Sequence, residues 1–185
     1  MSIAQQIEAY TASISKFETS RSYVSLSQCV APADELLKMF FDGFTDSPEV
    51  RLRCYKGYQM EKDLKERLIA MPDLNFTEHE EISAFDGLVL GHPDLQFHKT
   101  NIFIPCDCKS VPLDEHLPES LLPRRVYWQM QGYMLYAKKD ESLVIYESRE
   151  TGKIRDYKVR SNEGIQSEIH AKLQFVIGKI KSKAA

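Results

Sequence analysis

Apolar residues return every three to four positions over 3–16, where Ile3, Ile7, Tyr10 and Ile14 share one stripe, and this period predicts an amphipathic helix. A second helix is predicted over 33–44, with Pro32 near its start and Gly43 near its end. A third, longer one runs over 49–71 and is stopped by Pro72. Strand-like patterning then takes over. Residues 76–85 read as a strand, Asp86-Gly87 is a hairpin signal, and 88–97 reads as the returning strand. Lys99-Thr100-Asn101 turns the chain into a third strand over 102–111. A loop rich in proline and acids follows over 112–118, then a helix over 119–137 and strands over 142–147 and 154–159. The last helix, 162–181, aligns Ile165, Ile169, Leu173, Val176 and Ile180 on one face. Helices, three strands, a helix and two strands make an α/β order.

Candidate chemistry sits on the middle strands. Asp94 follows His92-Pro93, and Asp107-Cys108-Lys109 lies on the strand over 102–111. Side chains alternate along a strand, so Asp107 and Lys109 share one face while Cys106 and Cys108 face the other, into packing. Two carboxylates offer hard oxygen ligands to a divalent cation. Such a cation polarises a phosphate and activates water, and a nearby ammonium stabilises developing negative charge. Two helical pairs add to this set. Gly57 and Glu61 are four apart on the third helix, and Gln129 and Tyr133 are four apart on the helix after the third strand. Each pair also has a plain reading: a solvated glutamate beside Lys62 and Lys65, and a core tyrosine with a glutamine at the helix rim.

In the order Glu61, Asp94, Asp107-x-Lys109, Gln129-x-x-x-Tyr133, the chain resembles the PD-(D/E)xK nuclease superfamily, in its RecB-like or lambda-exonuclease-like branch. A loose match to an opening stretch of that branch lies in Tyr23 to Cys29, followed by Pro32, and Gln131 with Tyr136 offers a shifted, poorer match to the second helical motif. The resemblance implies a restriction-endonuclease-like core over about 48–160, a central mixed β-sheet of about five strands flanked by helices. It implies one domain over 1–185, with N-terminal helices in 1–45 and a C-terminal helix over 162–181. It also implies Mg²⁺ or Mn²⁺ held by Glu61, Asp94, Asp107 and the backbone carbonyl of Cys108. Lys109 would then stabilise the transition state, and Gln129 and Tyr133, with Arg124 and Arg125, would lie against DNA. The implied activity is metal-dependent DNA hydrolysis, as an end-processing exonuclease in repair, recombination or phage and mobile-element metabolism. The alternatives are a site- or structure-specific endonuclease, a DNA-binding module of the same fold that does not cut, and an interaction protein whose acids and lysines fall there by chance. A homo-oligomer and a helicase or recombinase partner are further expectations.

The net charge of −3 does not advertise a nucleic-acid binder, but Arg51, Arg53, Lys56, Lys62, Lys65 and Arg67 crowd the Glu61 helix. Arg125 precedes Gln129 by four and shares its face. The four cysteines, Cys29, Cys54, Cys106 and Cys108, lack the late cysteines that an iron–sulfur cluster of this branch needs, and no zinc spacing involves His92 or His98. Disulfides are not expected. No apolar run approaches the roughly 20 residues of a membrane span, and the N-terminus lacks a signal-peptide pattern, so a cytoplasmic location without membrane contact is expected. His92 has at most a supporting role. Pro105 should force a bulge or break before Asp107. The loop over 112–123 is long enough to serve as a flap.

Overall fold

The computed structural model describes residues 22–42, 48–99 and 102–184, without side chains for 48–54, 99 and 184. The helix predicted over 3–16 lies outside these residues. Eight strands are present among them: β1 (Val24–Ser25), β2 (Phe76–Glu78), β3 (Ile82–Ala84), β4 (Val89–Gly91), β5 (Leu95–Lys99), β6 (Ile102–Val111), β7 (Glu141–Ser148) and β8 (Ile154–Arg160). The α-helices are α1 (Ala33–Asp42), α2 (Pro48–Ile69), α3 (Arg124–Ala137) and α4 (Glu163–Ala184). Five strands form one sheet in the order β2-β5-β6-β7-β8, and β1-β4-β3 form a smaller one. The large sheet is mixed: β6 and β7 run parallel, and the other neighbours run antiparallel. A parallel pair needs a crossover, which α3 supplies between β6 and β7.

Both faces of the large sheet are covered. On one face, Ile104, Cys106, Cys108, Leu143 and Ile145 pack with Leu64 and Leu68 of α2. On the other, Val144, Tyr146 and Val159 belong to a core that takes in Met130, Tyr133 and Met134 of α3 and Ile169, Leu173 and Val176 of α4. Cys106 and Cys108 are fully buried, as strand alternation requires. α4 starts where Asn162 caps it, its Oδ1 accepting from the Ile165 backbone N–H at 3.1 Å. No helix among the described residues is long and apolar enough to cross a membrane.

Several expectations need correction. The strand predicted over 76–85 is two strands in two different sheets, β2 and β3, separated at His79-Glu80-Glu81. Three polar residues in a row give no alternating face to bury there. The strand predicted over 88–97 is likewise split, into β4 and β5, at His92-Pro93-Asp94. Pro93 has no N–H to donate to a ladder. Asp94 therefore ends a turn rather than riding inside a strand. The helix predicted from 119 starts at Arg124, because Pro123 forms its N-terminal boundary and turns the preceding residue away from helical geometry.

Pro105 neither bulges nor breaks β6, whose ten residues run unbroken from Ile102. Its pairing explains this. Pro105 sits opposite Gln96 of β5, and the β7 ladder begins only at Cys106. Up to residue 105 the β6 strand is paired on one side alone, so a nitrogen without hydrogen facing the other side costs no ladder bond. The segment over 112–123 is held down rather than open. Leu117 is buried, Thr151 Oγ1 donates to Asp114 Oδ1 at 2.7 Å, and the Pro118 carbonyl accepts from Arg155 Nη1 at 3.0 Å and from the Tyr157 hydroxyl.

Candidate active site

The C-terminal half of β6 organises the site. Asp107 and Lys109 point to the α3 side of the sheet, and the Lys109 ammonium contacts Asp107 Oδ2. Asp107 Oδ1 accepts from Gln129 Nε2 at 3.2 Å. The same amide nitrogen donates to the Tyr133 hydroxyl at 2.8 Å, and that hydroxyl donates to the His92 carbonyl at 3.3 Å. Four-residue spacing on α3 makes this relay possible, because Gln129 and Tyr133 stand one above the other. The relay ties the aspartate of β6 to the turn that carries Asp94. Asp94 Oδ2 in turn accepts from the Cys108 backbone N–H at 2.7 Å. Glu61 arrives from the opposite side on α2, with Oε1 accepting from the Ser110 backbone N–H at 3.4 Å. Glu61, Asp94, Asp107, Lys109, Gln129 and Tyr133 are thus brought together.

The electrostatics follow from three acids sharing a half-buried space. Burial, then the neighbouring Asp107 charge, pushes the Asp94 carboxyl up to about 7, against the pull of the Lys109 ammonium and the Cys108 N–H. Burial likewise raises Glu61, while Lys109, the Ser110 N–H and Arg149 oppose it. Burial would strip Lys109 of its proton, but Asp107, Glu61 and Asp94 outweigh it and hold the ammonium well above its ordinary range. Lys109 thus carries a positive charge beside the three acids. Burial and the Asp107 charge raise Tyr133, so its phenol stays protonated and able to donate.

The three acids offer oxygen ligands of the kind a divalent cation takes. Among the described residues, no three His, Cys, Asp or Glu side chains stand in a group that could hold a metal ion as they are. The acids instead lie within electrostatic reach: Asp94 feels the charges of Asp107 and Glu61, and Glu61 feels that of Asp107. Asp107 Oδ2 is buried and has the Lys109 ammonium as its partner. Such an oxygen is suited to a hard cation, which prefers carboxylate ligands. Three further side-chain atoms are buried without hydrogen-bond partners among the described residues: Ser110 Oγ, Arg149 Nε and Ser142 Oγ. Ser110 lies near the C-terminal end of β6 and Arg149 just past that of β7, and Ser142 lies at the far end of β7.

Other marked residues have different surroundings. His92 turns toward Glu81, with Nδ1 at 3.6 Å from Oε2, and its ring meets Tyr23 edge-on. Arg124 and Arg125 are exposed at the start of α3, and Arg124 lies 5.2 Å over the Trp128 ring. Gln131 is fully buried but serves the β8–α4 junction, donating to the Arg160 carbonyl at 2.8 Å and accepting from the Asn162 N–H at 2.8 Å. The shifted Gln131 and Tyr136 pair is therefore not at the site. Gly57 is not needed for close approach, because a Cβ there would meet Ser110 Oγ at an ordinary 3.8 Å.

Sequence reasoning missed what supports Tyr133. Leu26 is fully buried against Gly91 and Gly132. A Cβ on Gly91 would lie 2.7 Å from Leu26 Cδ1 and 2.9 Å from Tyr133 Cε1. The stretch from Tyr23 to Cys29 thus wedges against α3, with Cys29 Sγ donating to the Trp128 carbonyl at 3.3 Å. It also missed Arg149, which lies just past the end of β7 and has no motif around it.

No protein-family model and no curated protein matches the sequence. Solved structures do match in fold. An alkaline exonuclease from Laribacter hongkongensis, LHK-Exo, superposes with a TM-score of 0.65 at 14% identity, over 90% of this chain and 92% of that one. The same exonuclease in complex with dAMP gives 0.66 at 14% identity over the same shares. A phage related exonuclease from Haemophilus somnus 129PT gives 0.57 at 13% identity, over 88% of this chain and 96% of that one. The chain has the α/β fold of these exonucleases, and the mixed five-stranded sheet flanked by helices agrees with the expected fold class.

Proposed function

We propose that this protein is a metal-dependent DNA nuclease, acting as an end-processing exonuclease. The observation that carries the reading is the convergence of Glu61, Asp94 and Asp107 with the Lys109 ammonium at one end of β6. The exonuclease fold of its structural neighbours, one of them in complex with dAMP, supports it.

Asp94, Asp107, the Cys108 carbonyl and Glu61 would hold Mg²⁺ or Mn²⁺, which when bound polarises the scissile phosphate and activates a water. The chain's own residues do the rest. Lys109 holds a positive charge beside Asp107, where it can stabilise the charge that develops on the phosphoryl oxygens. Gln129 orients Asp107 through one amide proton and Tyr133 through the other. Tyr133 keeps the Asp94 turn in place through the His92 carbonyl. Exposed Arg124 and Arg125, at the start of the helix that carries Gln129, contact the DNA backbone.

The test is cleavage of end-labelled linear DNA and closed circular DNA, with Mg²⁺, Mn²⁺ or EDTA, beside the Lys109→Ala variant. Metal-dependent loss of linear DNA alone, abolished in the variant, is expected. Cutting of circles would replace the exonuclease reading with an endonuclease one. DNA binding without cutting under either metal would leave a binding module.

A further inference from the structure

The site as described is rich in negative charge, and its lysine is engaged by Asp107. Beside the cation that these acids would hold, a phosphodiester entering the site gains from a further positive charge at its edge. On the same edge, Arg67 is engaged by Glu147, its Nη2 at 2.5 and 2.6 Å from the two carboxylate oxygens. Arg149 follows Glu147 by two residues, just past the end of β7. Its backbone N–H donates to the Val111 carbonyl at 2.8 Å, two residues past Lys109, so its Cα is fixed to the end of β6. Its charge is felt at Glu61, on the helix that crosses that end. Its Nε is buried and has no hydrogen-bond partner among the described residues.

A buried guanidinium N–H without an acceptor is costly, and in native structures such a group is completed by a water, an ion or a ligand. Ser110 Oγ, beside the Glu61 contact, is a second buried polar atom without a partner. Two unsatisfied groups that can donate, at the edge of an acidic cluster, suit an anion with several oxygens. The backbone around Arg149 is also prebuilt. Ser148 N–H donates to the Lys153 carbonyl and Gly152 N–H to the Ser148 carbonyl, each at 2.9 Å, closing the turn on which the arginine sits. The closed turn fixes where the arginine side chain starts, and its planar fork matches two oxygens of a phosphate.

We propose that the Arg149 guanidinium binds a non-bridging oxygen of the substrate phosphodiester beside Glu61, a role that rests on the nuclease reading above. Arg149 is then a substrate-binding residue, and its work is to hold the strand against the repulsion of the three acids.

The test is binding of a fluorescent oligonucleotide in Mg²⁺ across a salt series, for wild type, Arg149→Gln and Arg149→Lys, with thermal melts of each. Loss of one phosphate contact should flatten the slope of log affinity against log salt by about 0.7–0.9. Arg149→Gln should show this and bind about tenfold more weakly at low salt. Arg149→Lys keeps the charge but loses the fork. It should keep the slope, bind several-fold more weakly and melt like wild type. An unchanged slope in a folded Arg149→Gln would overturn the contact and leave the nuclease reading standing. So would unchanged affinity in Arg149→Lys, the readout that remains if the glutamine variant does not fold. Absence of any DNA binding by wild type would overturn both.

Discussion

The Asp94 carboxylate accepts the Cys108 backbone N–H at 2.7 Å, and this bond joins the turn after Pro93 to the middle of β6. It explains how an acid placed outside any strand still meets Asp107. Asparagine can accept the same N–H through its amide oxygen while carrying no charge. Asp94→Asn should therefore keep the fold, remove one repulsive charge and raise the melting temperature of the metal-free protein. Cleavage should fall by about 100-fold or more, since a ligand to the cation is weakened. A melt in EDTA beside a cleavage time course checks both halves.

The raised Asp94 pKa gives a pH dependence with a definite sign. The folded value of about 7 lies above the ordinary 3.8, so between the two the folded chain binds more protons than the unfolded chain. The corresponding stability is complete below about 4 and is lost as pH rises through about 7. Glu61 shifts in the same direction. With partial solvent exposure allowed for, the loss is on the order of 2–3 kcal/mol. Melts in EDTA should therefore fall by about 5–10 °C across this window. Saturating Mg²⁺ should flatten the curve, because a bound cation compensates the carboxylate charges. Asp94→Asn should flatten it without metal. A melting temperature that climbs with pH in EDTA would contradict the assigned burial.

Much of this was legible in the sequence where one physical rule acted alone. The boundaries of β6 follow from a run of strand formers between a turn and Pro112. The apolar stripe of α4 follows from its 3.6-residue period, and Ile169, Leu173 and Val176 on it are fully buried. The six candidate side chains could be named because each chemistry needs a particular residue type. The rest was hidden where two rules competed. Residues 76–85 have strand composition throughout, and nothing local says that Phe76 pairs with Phe97 while Ile82 pairs with Gly91. The two-residue β1 carries no pattern of its own and exists because Val24 lies beside Val89. Arg149 could not be found from the chain, since only the pairing of Val111 with Ser148 brings it to the site. A turn arginine four residues before Lys153 looks like any solvated one.

Tyr133→Phe isolates the relay. The substitution removes the hydroxyl that accepts from Gln129 and donates to the His92 carbonyl, and leaves the ring packed. Stability should drop by about 0.5–1.5 kcal/mol, the ordinary worth of such a hydrogen bond. Activity should drop more, by about tenfold, because the Asp94 turn and the Gln129 amide both lose their orientation. Urea unfolding and steady-state cleavage separate the two effects. Equal, small losses in both would mean that the relay only packs.

Two glycines should behave in opposite ways. At Gly57 an added Cβ finds Ser110 Oγ at 3.8 Å, which is ordinary contact, and alanine is the better helix former. Gly57→Ala should be neutral or stabilise by up to about 1 kcal/mol. At Gly91 the Cβ would strike Leu26 and the Tyr133 ring, both in the buried core. Gly91→Ala should cost about 1–3 kcal/mol and reduce cleavage through displacement of Tyr133. Paired melts and cleavage assays of the two variants test the contrast.

Arg67 and Glu147 decide how firmly α2 is seated. Glu147 is almost fully buried, and its two oxygens are held by one arginine nitrogen from α2. Six residues earlier on the same helix stands Glu61, so the angle of α2 over the sheet sets where that acid reaches. Removing only the arginine leaves a buried carboxylate without its cation, which is worse than having neither. Arg67→Met should therefore destabilise by about 2–3 kcal/mol, less than a fully buried pair because half of the arginine side chain is exposed. Arg67→Met combined with Glu147→Leu should recover most of that loss, since two apolar side chains suit the neighbouring Leu64 and Leu68 cluster. If the pair also fixes Glu61, the recovered double variant should regain stability but not full cleavage. Chemical denaturation of the three variants measures the first effect. The Mg²⁺ concentration at half-maximal cleavage measures the second, and its return to the wild-type value in the double variant would show that hydrophobic packing alone seats α2.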